Sequence, residues 1–373
     1  MTTYFITGAT GVLGSAIIRE LLRQPLHRLI LLIRAKDDAA LQTRVEQLLT
    51  FLNVDSSVAK ERIEAIRGDT ELIRFGLDAR EYSMLCTSVT HIIHSAAIVR
   101  MNLPLETARQ ASVASADNIL QLARLCQANG ILRKAEMVST VGVGGRWSGP
   151  LPERWIDESR RFHNTYEQAK AEAETGIQRG IKEGLPVTVH RPSMIVGNSH
   201  DGRIPHFQIF YHLIEFIAGR RTLGMLPDLA HHHVDLVPAD YVAQAIIWSS
   251  SHNVTTGKVL HLCSGPDHAL PLKKLRTAVI EQFGRHRIPV PNGYTLPIGW
   301  FNVFARAAAP LAPKQFRRAL ATLPIFLDYL SEDQQFANVQ TRQLLEAAGL
   351  NLPEADTFLR PVLDYYLERT YQR

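Results

Sequence analysis

The stretch "TYFITGATGVLG" (3–14) limits the possible folds more than any other part of the chain. It runs from an apolar strand through three glycines into a helical pattern spanning Val12 to about Gln24. Gly8, Gly11 and Gly14 at this spacing permit a tight turn, let backbone approach a pyrophosphate, and let the helix pack closely on a sheet. The N-terminus of that helix then offers unpaired N–H groups to an anion. Glycines also serve turns that bind nothing, so the context decides. A strand before, a helix after and Thr10, Val12 and Leu13 between the glycines read as a dinucleotide cradle.

The alternation continues. Apolar or β-branched runs at 28–34 ("RLILLIR"), 62–69, 89–97, 134–140, 186–192 and 258–264 read as strands. Helical patterns lie between them, notably 104–130 and 238–251. A run such as 28–34, apolar throughout, suits a strand buried on both faces. Strand and helix in turn imply βαβ crossovers, hence an α/β Rossmann-type doubly wound parallel sheet. Residues 201–232 and 265–373 break the rhythm with helices and Pro-rich loops. The expected organisation is therefore a dinucleotide-binding Rossmann domain over 1–200, completed by 233–264. Segments 201–232 and 265–373 would form a smaller, mainly helical substrate-binding cap.

The 373 residues carry a net charge of only +5, with no Lys/Arg block, so nothing points to nucleic acid. Cys86, Cys126 and Cys263 lie far apart and match no metal-ligand spacing. No apolar stretch is long enough to span a bilayer, and no signal peptide is evident. The expectation is a cytoplasmic enzyme without a metal. His231, His232 and His233 read either as a solvated loop or as a contact to a phosphopantetheine phosphate, with Arg220 and Arg221 nearby. Segment 297–329 reads as core packing, as a lid over a long substrate, or as a peripheral membrane contact.

The end of the second strand distinguishes the cofactors. A carboxylate there would bind a ribose 2′-hydroxyl, a cation a 2′-phosphate. The chain places Arg34 there, with Lys36 and Arg44 following; Asp37 and Asp38 come late for the ribose role. NADPH is expected over NADH.

"NTYEQAK" (164–170) puts Tyr166 and Lys170 on one face of a helix. Following a glycine cradle and a strand ending "MVST" (137–140), this Tyr-x-x-x-Lys resembles the extended short-chain dehydrogenase/reductases. Thr140, 26 residues before Tyr166, matches the family's hydroxyl position; Ser139 is the neighbouring candidate. "GDT" (68–70), "HSAAIV" (94–99), "HRPSMIVGNSHDGRIPHF" (190–207) and "VDLVPADYVAQAI" (234–246) resemble the thioester reductase and fatty acyl reductase group. That resemblance covers roughly residues 1–264. It implies that Asp69 and Thr70 lie at the adenine and that Ser95, Ala96 and Ala97 line the cofactor. Pro192, Ser193 and Met194 would flank the nicotinamide, and Arg34 and Arg44 would hold the 2′-phosphate. The family's Asn-Val-x-Gly-Thr stretch is replaced by "SVASA" (112–116), so local packing there should differ.

The implied reaction is NADPH-dependent reduction of an acyl thioester, carried on a carrier protein or coenzyme A, to aldehyde or alcohol. Thr140 and Tyr166 would donate to the oxygen as charge builds. Lys170 would contact the ribose and favour the ionised phenol. No adenylation or carrier segment lies within these residues, so the thioester is expected to come from elsewhere, and a homodimer is plausible for this superfamily. Two other readings stay open: an oxidoreductase for free hydrophobic ketones or alcohols, steroid-like or aromatic, and a non-catalytic NADP(H) sensor.

Overall fold

The computed structural model describes residues 2–372, except 304–333 and Pro25, Asn102, Leu223, Leu229, Ala230, Ile298 and Asn302. Much of segment 297–329 thus lies outside the described residues.

The strands are β1 (Thr2–Thr7), β2 (His27–Ile33), β3 (Ile63–Arg67), β4 (His91–His94), β5 (Lys134–Val138), β6 (Val187–Pro192), β7 (Met194–Val196), β8 (Met225–Pro227), β9 (His233–Val234), β10 (Leu236–Pro238), β11 (Val259–Leu262), β12 (Leu270–Pro271) and β13 (Tyr294–Leu296). The helices are α1 (Val12–Leu22), α2 (Asp38–Leu52), α3 (Ser56–Arg62), α4 (Ala79–Ser88), α5 (Leu105–Arg109), α6 (Ser115–Ala128), α7 (Thr165–Lys182), α8 (Ile209–Ile217), α9 (Ala239–Ser250), α10 (Leu272–Arg285), α11 (Val339–Ala347) and α12 (Ala355–Tyr371).

Seven strands form one sheet in the order β11-β6-β5-β4-β1-β2-β3, and every neighbouring pair is parallel. This is the doubly wound Rossmann arrangement expected from the alternating pattern. The strand order reverses direction at β1 and β4, whose carboxyl ends pair Thr7 with His94. Ligands of open parallel sheets bind at that switch point. Alternate β1 residues serve the two faces. Phe5 joins a buried cluster with Tyr82, Leu85, Ile119, Ala173 and Ile177 from α4, α6 and α7, whereas the Tyr4 hydroxyl bonds the Ser250 hydroxyl of α9 at 3.0 Å.

Local chemistry sets the helix starts. Asp37 caps α2 by accepting from Ala40 N–H at 2.7 Å, which accounts for an acid too late in sequence to meet a ribose. Asp78 and Glu81 form a reciprocal capping box on α4. The pattern over 104–130 is not one uniform helix, because Gln110–Ala114 forms a π-turn between α5 and α6. Such turns occur as single bulges inside α-helices, and this one contains the start of "SVASA".

The chain divides into two compact units: residues 1–193, 239–263 and 336–351, and residues 194–238, 264–335 and 352–373. The first holds the large sheet and also α11, which sequence alone groups with the cap. Within the second, α10 packs on α8 and α12. Its centre holds the buried Glu215 carboxylate, which accepts from the Tyr366 hydroxyl at 2.9 Å and the Tyr371 hydroxyl at 2.6 Å. No helix among the described residues is long and apolar enough to cross a membrane.

Candidate active site

The glycine turn leaves β1 at its carboxyl end. Gly8 has φ +72°, and a Cβ there would lie 2.6 Å from Ala96 N and 2.8 Å from Ser95 O. A Cβ on Gly14 would come within 2.1 Å of Gly8 O. No side chain could fit either position without moving backbone. Gly11 N–H closes the turn on Gly8 O at 2.8 Å. Helix α1 then begins without a side-chain cap and without an acid in its first turn. These features suit a pyrophosphate, since the terminal N–H groups keep their capacity for an anion.

Around the turn, Ser95 donates its hydroxyl to Thr7 O at 2.8 Å and Ala96 N–H bonds Thr7 Oγ1 at 3.3 Å. Ala97, just beyond, is exposed. His94, buried and named from the sequence only within "HSAAIV", completes this clamp. Its Nδ1 lies 2.8 Å from Thr7 Oγ1 and its Nε2 3.5 Å from Ser115 Oγ. Burial, with the Lys170 charge adding, holds its pKa down to about 3, so the ring is neutral. A histidine at the carboxyl end of a central strand, directly before the Ser95–Ala97 stretch expected to line the cofactor, was the signal available for it.

The corner that the sequence reading assigns to cofactor choice brings together Arg34, Arg44, Asp69 and Glu71. Arg44 donates to Arg34 O and, at 2.7 Å, to Thr10 Oγ1. Arg34 Nη1 lies 3.6 Å from both Asp69 Oδ2 and Glu71 Oε1. Asp69 N–H bonds Phe75 O at 2.9 Å, and buried Thr70 accepts from Asn118 Nδ2 at 2.9 Å. Glu71 was not visible as a site residue, because its link to Arg34 spans two strands.

Of the candidate reacting residues, Thr140 follows β5 and Tyr166 and Lys170 stand on α7. That strand stops at Val138, so alternation along a strand does not separate Ser139 from Thr140. Their surroundings do. Ser139 is buried and its hydroxyl meets no partner among the described residues. Thr140 Oγ1 accepts from Gly142 N–H at 3.1 Å, which leaves the threonine proton able to donate. Gly142 keeps this turn close to α7: a Cβ there would lie 3.1 Å from Glu167 Cγ and 3.4 Å from Thr140 Oγ1.

Asn164 caps α7 by accepting from Glu167 N–H at 3.0 Å. One turn on, Lys170 Nζ donates to Val138 O at 3.1 Å. Burial pulls this ammonium down to about 8, partly opposed by Glu174. The expectation that Lys170 promotes ionisation of Tyr166 needs correction. Burial, and then the Glu167 carboxylate, push the phenol pKa well above its ordinary value. A desolvated phenoxide beside a carboxylate is disfavoured, so Tyr166 stays protonated and can donate. Glu174 meanwhile holds the fully buried Arg191 through two hydrogen bonds, one of 2.9 Å and one of 2.5 Å, tying α7 to β6.

After β6, Ser193 N–H bonds Leu262 O at 3.1 Å, and its buried hydroxyl has no partner among the described residues. Met194 opens β7 and pairs with Leu236. Arg220 is committed elsewhere than to a phosphate: it pairs with Glu215 at 3.3 Å and lies 4.9 Å over the Tyr371 ring. His233 opens β9, antiparallel to β12. Among the described residues, no group of three or more His, Cys, Asp or Glu could hold a metal ion.

Residues 6–246 match the NAD-binding family described as "Male sterility protein". The chain is 29% identical over 245 residues to the isonitrile lipopeptide synthase of Streptomyces coeruleorubidus, covering 65% of this chain and 16% of that protein. It is 28% identical over 280 residues to the L-2-aminoadipate reductase of Schizosaccharomyces pombe (strain 972 / ATCC 24843), covering 71% and 19%. This chain thus spans less than a fifth of the length of either relative. Among solved structures, the terminal R domain from the myxalamid PKS-NRPS biosynthetic pathway superposes with TM-score 0.82 at 25% identity, covering 100% of this chain and 92% of that one. A thiolation-reductase di-domain from an archaeal non-ribosomal peptide synthetase shares the fold, with TM-score 0.76 at 21% identity over 99% and 75%.

Proposed function

This chain belongs to the family described as male sterility protein, within the extended short-chain dehydrogenase/reductases, and from that premise we propose that it reduces a carrier- or coenzyme-bound acyl thioester with NADPH. It is an oxidoreductase with a site for a nicotinamide cofactor. The observation that supports the finer reading is the 3.1 Å contact of Lys170 Nζ with Val138 O, which brings the helix carrying Tyr166 and Lys170 to the end of β5, in the same unit as the glycine cradle.

When bound, the reduced nicotinamide supplies hydride to the thioester carbonyl carbon. Gly8, Gly11, Gly14 and the start of α1 would hold the pyrophosphate, Arg34 and Arg44 the 2′-phosphate, and Lys170 the ribose. Thr140 and Tyr166 hydroxyls donate to the carbonyl oxygen, so negative charge develops against fixed donors. Tyr166 then gives its proton to that oxygen, completing a hemithioacetal. Collapse of the hemithioacetal breaks the carbon–sulfur bond and releases thiol and aldehyde; a second reduction would give alcohol. The second unit is assigned the acyl substrate.

An acyl-coenzyme A series tested against free ketones decides the substrate class. Oxidation of NADPH on acyl-coenzyme A supports the proposal. Turnover confined to ketones would transfer the site to carbonyl reduction on free molecules.

A further inference from the structure

We propose that Glu71 limits the preference for NADPH by competing with a 2′-phosphate for the Arg34 guanidinium. The inference rests on the reading of Arg34 as a 2′-phosphate residue. Arg34 and Arg44 differ in how their charge is met. Arg44 binds a backbone carbonyl and a hydroxyl, and has no carboxylate partner among the described residues. Arg34 faces two carboxylates, Asp69 and Glu71, each at 3.6 Å.

The Glu71 carboxylate is carried on fixed backbone. Its N–H donates to Asp69 Oδ1 at 3.0 Å, and its carbonyl accepts from Gln110 Nε2 at 2.8 Å, at the start of the π-turn. Burial and the neighbouring Asp69 raise the Glu71 carboxyl above its ordinary value, with Arg34 acting in the opposite sense. The corner therefore already sets two carboxylates beside Arg34 before any phosphate enters.

At 3.6 Å the Arg34 contacts are ion pairs without short hydrogen bonds, and the Arg34 side chain is 60% exposed. Such pairs are weak and displaceable. A 2′-phosphate has to draw Arg34 away from Glu71 and settle near that carboxylate. A 2′-hydroxyl has no such requirement. Glu71 consequently weakens NADPH while leaving NADH untouched, and narrows the selectivity that two arginines would otherwise give.

The test is equilibrium binding of NADPH and NADH, followed by nicotinamide fluorescence, to the parent chain, Glu71→Gln, Arg34→Ala and the double variant. Glu71→Gln should tighten NADPH by about three- to five-fold at low salt, the scale of a half-exposed ion pair. That gain should shrink as salt rises, NADH should not change, and the gain should vanish in the Arg34→Ala background. Glu71→Ala should reproduce the pattern, independent of any hydrogen bond made by glutamine. No gain for NADPH, an equal gain for both cofactors, or a gain that survives in Arg34→Ala would overturn the inference. Arg34→Ala alone tests the underlying reading: unchanged NADPH affinity there would remove the 2′-phosphate assignment, and the inference with it. A loss in Arg34→Ala with no gain in Glu71→Gln would overturn the Glu71 role alone.

Discussion

Lys170 Nζ donates to Val138 O at 3.1 Å, joining the first turns of α7 to the last residue of β5. Two residues beyond Val138 stands Thr140; one helical turn before Lys170 stands Tyr166. This hydrogen bond fastens the helix that carries Tyr166 to the strand that leads into Thr140.

If Tyr166 is the proton donor, Tyr166→Phe should lower the turnover number by about 10²-fold or more, as expected for loss of an acid that also stabilises an oxyanion. The ring still packs, so thermal stability and NADPH affinity should hold. Steady-state kinetics with parallel cofactor titration checks both.

The lowered Lys170 pKa gives a signed stability prediction. Its folded value, about 8, lies below the ordinary 10.5, so between these values the unfolded chain holds more protons than the folded one. Stability should therefore rise with pH across that window, as the cost of burying the ammonium is relieved. In urea titrations from pH 7 to 10.5, the parent should gain stability relative to Lys170→Met. A constant difference between the two would show that Lys170 does not titrate there.

Gly14→Ala tests the cradle apart from the Arg34 corner. With a Cβ only 2.1 Å from Gly8 O, the turn must open, and NADPH and NADH should lose affinity together. Selective loss of one cofactor would mean that the turn does not hold their common pyrophosphate.

His94→Leu should destabilise the chain by about 1–3 kcal/mol, the cost of leaving buried hydroxyls unpaired, here those of Thr7 and Ser115. It should also raise the KM for cofactor more than it lowers kcat, because His94 supports the glycine cradle through Thr7. Chemical denaturation and initial rates at varied NADPH measure the two effects.

Features with a short sequence range were legible in advance. The glycine turn, the β2 run "RLILLIR" and the Tyr166–Lys170 spacing each announce themselves within a few residues, because period and turn chemistry are local. The π-turn at Gln110–Ala114 was hidden, since helix runs without a break on both sides of it and no Gly or Pro marks it. The Arg34–Glu71 pair was hidden because it joins residues brought together only by strand pairing. The phenol of Tyr166 was misjudged for a related reason: the sequence shows a lysine four residues on, but shows neither the burial nor the direction in which Nζ bonds.

The central claim is reduction of a thioester, and counting thiol against oxidised NADPH tests it most directly. With acyl-coenzyme A as substrate, free thiol should appear at one equivalent per NADPH if the aldehyde leaves, or one per two if alcohol forms, and Tyr166→Phe should slow both signals together. NADPH oxidation without thiol release, or thiol release that does not require NADPH, would contradict the account.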